Sequence, residues 1–66
     1  MKIRWRILGA GWNEAETQAK TVKELMEELK LSSEEYVATI GNRIVTEDHP
    51  IKEGDEITFV PVVSGG

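Results

Sequence analysis

Polar and apolar residues alternate from Lys2 to Leu8, with Ile3, Trp5 and Ile7 on one side and Lys2, Arg4 and Arg6 on the other. A period of two is the signature of a strand with one buried and one open face. Gly9-Ala10-Gly11-Trp12-Asn13 reads as a loop, and residues 14–20 alternate again, setting Glu14, Glu16 and Gln18 opposite Ala15, Thr17 and Ala19. That second run is also rich in helix formers. The short loop before it favours an antiparallel hairpin, in which its acidic face meets the basic face of the first strand.

The period then changes. Val22, Leu25, Met26 and Leu29 fall at i, i+3, i+4 and i+7, one apolar stripe on a helix. Thr21 and Glu24 supply a Thr-x-x-Glu capping box at its start. Leu31 is expected to close the core after the helix, and Ser32 to Glu35 to form a polar connection with at most a single turn. Tyr36–Ile40 and Arg43–Thr46 read as two strands around the tight-turn dipeptide Gly41-Asn42. Residues 47–52 form an irregular loop in which Pro50 blocks ladder pairing and Ile51 points inward. After a turn at Glu53-Gly54-Asp55, residues 56–62 form the last strand, Ile57 and Phe59 joining the inner face and Pro61 ending its central pairing. One helix with one stripe covers one face of one sheet, so the order predicts a two-layer α+β domain over residues 1–62.

Sixty-six residues suit one small core, and the chain has no cysteine and a single histidine, so neither disulfides nor a metal cluster can supplement it. A net charge of −4 argues against nucleic-acid binding. No apolar run has the length of a membrane span, so the expected setting is the cytoplasm, with no membrane partner. The Lys2, Arg4, Arg6 stripe is read as neutralised by Glu14, Glu16 and Glu56 across the strands. Trp12 is either a binding anchor or a cover for the sheet edge, and His49 a solvated loop residue. Asp55 and Glu56 point to opposite faces and form no catalytic pair. No nucleophile–base set and no metal-ligand set is found.

The chain closes on Val63-Ser64-Gly65-Gly66. Glycine passes through channels and backbone angles closed to other residues. Four extended residues reach ~13–14 Å, so such a tail can carry a terminal carboxylate into another protein's active site.

The Lys52-Glu53-Gly54-Asp55-Glu56-Ile57 segment and the closing Pro61-Val62-Val63-Ser64-Gly65-Gly66 resemble the MoaD/ThiS sulfur carriers of the ubiquitin-like superfamily, including archaeal small modifiers. The resemblance runs end to end and implies a β-grasp fold: a mixed sheet of about five strands with one main helix on one face and a flexible tail over 63–66. Many relatives carry Asn-Gly at the tight hairpin, where this chain has Gly41-Asn42. The chain is then a carrier and not an enzyme, binding no cofactor itself.

The resemblance also implies a chemistry. A ubiquitin-activating-enzyme-like adenylyltransferase uses ATP and Mg²⁺ to adenylate Gly66, and a sulfur donor protein converts it to a thiocarboxylate. Sulfur then passes to a molybdopterin or thiazole precursor or to tRNA, with a synthase large subunit as a possible further partner. In conjugating relatives a target-protein lysine attacks the same activated carbonyl. Gly65, Ser64 and Val63 would form the threaded stem. Val60 and Val62, pointing away from the helix near Pro61, are candidates for docking, although singly exposed valines on a strand are common. A third reading is a non-covalent β-grasp interaction module, indifferent to the last two residues.

Overall fold

A computed structural model describes residues 1–62. The elements run β1 (Lys2–Ile7), β2 (Asn13–Glu16), α1 (Val22–Leu29), β3 (Tyr36–Ile40), β4 (Arg43–Val45) and β5 (Glu56–Pro61). The five strands lie in the order β2-β1-β5-β3-β4. β1 and β5 run parallel at the centre, and every other pairing is antiparallel. This is the mixed sheet with one helix that the β-grasp expectation requires.

Alternation on the central strands builds the core. Ile3, Ile57 and Phe59 are wholly buried, and α1 adds Val22, Leu25 and Met26 from its stripe. Trp5 and Ile7 pack at the margin of this cluster, with Leu29 and Leu31 closing it from the helix side. Trp5 meets Phe59 edge to face at 6.3 Å between ring centres, a favoured aromatic geometry. Ile51 anchors the crossing loop inside, as its apolar isolation predicts.

The second strand is shorter than the alternation suggests. It starts at Asn13 and stops at Glu16, and residues 17–20 leave the ladder. Thr17 still exchanges backbone bonds with Met1, its N–H donating to Met1 O at 2.8 Å and its carbonyl accepting from the amino terminus at 3.0 Å, while its hydroxyl accepts from Ala19 N–H at 3.0 Å and donates to Glu28 on α1 at 2.6 Å. A local side-chain bond of this kind competes with strand pairing. Thr17 and Ala19 are still buried, so the inward side of the alternation holds beyond the strand itself.

Thr21 caps α1, its hydroxyl accepting from Glu24 N–H at 3.3 Å. The reciprocal half of the box is displaced by one residue, since Glu24 Oε1 accepts from Lys20 N–H at 2.7 Å. The segment also holds a single bridge between Thr21 and Pro50, where no ladder was expected. Ile51 N–H donates to Lys20 O at 2.9 Å beside it. At the other end Lys30 adopts the left-handed conformation, φ 61° and ψ 37°.

In the β3–β4 hairpin Gly41 has φ +64° while Asn42 does not take a positive value. Glycine first and a normal residue second is the pattern of a type II′ turn. β4 ends at Val45, one residue short of Thr46, and β5 at Pro61, one short of Val62. Proline has no N–H with which to continue the ladder.

Candidate functional site

The parallel centre of the sheet sends the carboxyl ends of β1 and β5 to the same edge of the molecule. Pairing between them runs from Arg4↔Glu56 to Ile7↔Phe59, and Leu8 N–H continues it with a 2.9 Å bond to Phe59 O. β5 stays paired with β3 as far as Pro61↔Tyr36. Val62 N–H then donates to Glu35 O at 2.7 Å. The chain is therefore held on a defined line until four residues before Gly66. Gly66, Gly65, Ser64 and Val63, the expected reactive and threading positions, lie outside the described residues.

The side of the sheet opposite α1 carries the alternate residues. Thr58 is flanked by Arg6 on β1 and Thr39 on β3, with Ile44 beyond on β4. Toward the end of β5, Val60 pairs with Val37. Val60 is half-buried, Pro61 exposed and Val62 47% exposed. Leu8 is 54% exposed and Ile44 77% exposed. Val60 and Val62 thus lie on the open face as expected, accompanied by Leu8, Val37 and Ile44, which the sequence reading did not single out. The signal for these was available. Val37 and Ile44 fall one step out of phase with the inward residues Ala38 and Val45.

The basic stripe is resolved unevenly. Arg4 pairs with Glu56 at 3.0 Å, and the amino terminus with Glu16 at 3.3 Å. Among the described residues Arg6 has no carboxylate partner, which corrects the expectation that the whole stripe is neutralised. Glu14 stands across from Arg4 in the register, not from Arg6. Arg6 instead donates from Nε to Thr58 Oγ1 at 3.1 Å and lies 4.6 Å from the centre of the Trp12 ring. Arg4 approaches the same ring at 5.4 Å. Trp12 folds over the β1–β2 edge and remains 38% exposed.

His49 is a half-buried loop residue: its Nδ1 lies 2.8 Å from Pro50 O, and its own carbonyl accepts from Val22 N–H at 3.0 Å. It thus helps to hold the start of α1. Asp55 and Glu56 diverge as expected, Asp55 accepting from Lys52 N–H at 2.8 Å and Glu56 from Arg4. No helix among the described residues is long and apolar enough to cross a membrane.

The fold and the matched sequence point the same way. SAMP1 from Haloferax volcanii superposes with a TM-score of 0.73 at 16% identity over the whole of both chains. A subunit in the complex of subunits 1 and 2 of the molybdopterin-converting factor from Helicobacter pylori 26695 gives 0.71 at 22% identity, again over both full chains. At these identities the likeness is one of fold, a ubiquitin-like β-grasp. The molybdopterin synthase sulfur carrier subunit of Escherichia coli K12 is 40% identical over 38 residues, 58% of this chain and 47% of that protein. The match spans about half the length of that relative. The ThiS family model matches residues 6–66, from the end of β1 through the last glycine, and the chain belongs to the ThiS family.

Proposed function

We propose that this chain carries sulfur as a thiocarboxylate on Gly66. The observation that carries the reading is the family match, which runs through the last glycine. The arrangement upstream supports it, because β5 is paired until Pro61 and Val62 N–H is bonded to Glu35 O, with residues 63–66 following that last held position.

A carboxylate resists nucleophilic attack because its negative charge is delocalised and its leaving group is poor. In the partner adenylyltransferase a Gly66 carboxylate oxygen attacks the α-phosphorus of Mg-ATP and displaces pyrophosphate. A persulfide on a donor protein then attacks the activated carbonyl through its outer sulfur and AMP departs. A thiol next attacks the donor's sulfur in the resulting acyl disulfide, breaking the S–S bond to leave the thiocarboxylate on Gly66 and a disulfide on the donor. The chain's own part is to present this carbonyl on a stem without bulk at Gly65 and to dock through the open face that includes Val60 and Val62, with Pro61 between them in the chain. The Escherichia coli relative and the Helicobacter pylori complex favour molybdopterin assembly, with a synthase large subunit as a later partner.

Intact mass after incubation with the adenylyltransferase, ATP and a sulfur donor, followed by iodoacetamide, tests the reading. The chain has no cysteine, so alkylation that follows a sulfur-for-oxygen mass gain reports a new terminal sulfur. Deleting Gly65 and Gly66 should abolish the change while leaving the fold intact. Adenylation without sulfur gain, together with adducts that survive denaturant and reductant, would assign the chain to protein modification instead. Binding to partners unaffected by the deletion, with no adenylation, would make it a non-covalent module.

A further inference from the structure

The open face offers an arginine that the fold has positioned but not neutralised. Arg6 is on a central strand, its Nε held by Thr58 Oγ1 at 3.1 Å and its guanidinium stacked 4.6 Å from the Trp12 ring centre. Thr58 is in turn locked from the other side, its carbonyl accepting from Thr39 Oγ1 at 3.1 Å. Among the described residues, neither terminal nitrogen of Arg6 makes a hydrogen bond. Its neighbour Arg4 is spent on Glu56. Arg6 therefore presents a free planar edge whose rotamer entropy is already lost, and such an edge matches a carboxylate with two parallel N–H···O bonds.

We infer that Arg6, clamped by Trp12 and Thr58, is the specificity contact for a carboxylate side chain on the docking surface of the adenylyltransferase. This rests on the carrier reading above. Two observations select a protein carboxylate. Leu8 and Val60 border the carboxyl end of β1 and β5, so the partner surface must be apolar beside its acid. Docking would exclude water from that border and strengthen the charged hydrogen bonds. A polyanion needs several cations together, whereas the chain carries −4 overall and Arg4, the other arginine on this face of β1, is paired with Glu56.

The test is the affinity of the full-length chain for the adenylyltransferase, measured by titration calorimetry at low and moderate salt. Arg6→Gln keeps the stem and a donor but removes the charge; it should weaken binding by about tenfold and flatten the salt dependence. Arg6→Lys keeps the charge without the fork and should fall between. A Gln variant that binds as tightly as the unaltered chain, with the same salt dependence, overturns the inference. So does a site that inorganic pyrophosphate occupies in competition with the adenylyltransferase, which would assign the fork to a small anion. Should the Gln variant unfold, Arg6→Lys decides: affinity equal to that of the unaltered chain overturns the role. Failure of the unaltered chain to bind the adenylyltransferase at all overturns the carrier reading as well.

Discussion

Thr17 on the segment after β2 donates its hydroxyl to Glu28 on α1 at 2.6 Å, joining the two layers of the domain across eleven residues of sequence. The same oxygen accepts from Ala19 N–H, and Thr17 is only 3% exposed. Thr17→Val would leave a buried N–H without a partner, costing about 1–3 kcal/mol. Urea unfolding should show a lower midpoint with an unchanged slope. Glu28→Gln, which can still accept this hydroxyl, should cost clearly less.

Lys30 ends α1 in the left-handed region, where a side chain is disfavoured by about 1–2 kcal/mol and glycine is not. Part of that is returned because glycine widens the unfolded ensemble by about 0.4–1 kcal/mol. Lys30→Gly should therefore raise the unfolding midpoint slightly. A lower midpoint would mean that the lysine stem contributes packing at the cap.

Phe59 is wholly buried at the meeting point of β1, β3 and β5 and touches Trp5 edge to face. Truncation to alanine costs about 3–5 kcal/mol in a typical core. A domain of this size has little more than that in reserve, so Phe59→Ala should lose cooperative unfolding by circular dichroism at 25 °C, whereas Ile44→Ala, at an exposed edge position, should leave it intact.

Val60→Asp and Val62→Asp separate docking from folding. Val62 follows β5 and is 47% exposed, so its replacement should change stability by less than about 0.5 kcal/mol. If the tail-proximal face docks the adenylyltransferase, Val62→Asp raises the apparent KM for the chain while adenylation at saturation is retained. An unchanged KM for both variants would move the docking surface elsewhere.

Local patterns carried most of the fold. The period of two in Ile3, Trp5 and Ile7, the stripe from Val22 to Leu29, and the glycine turns at Gly41 and Gly54 each act within a few residues. They name their element because side-chain direction follows directly from backbone repeat. The candidate reactive end rests instead on resemblance, the Gly54-Asp55 turn and Gly65-Gly66 matching the sulfur-carrier pattern, and it lies outside the described residues.

What needed the tertiary structure was every choice among partners distant in sequence. Three carboxylates, Glu14, Glu16 and Glu56, stood within strand reach of the basic stripe on paper, yet register assigned Glu56 to Arg4 and left Arg6 to Thr58 and Trp12. The Thr17 hydroxyl found its acceptor in Glu28, eleven residues on, and the cap at Thr21 shared its segment with Pro50. Periodicity fixes which way a side chain points, but not which of several charged or polar groups it meets. That is decided by strand order and register, and these follow only when the whole core packs at once.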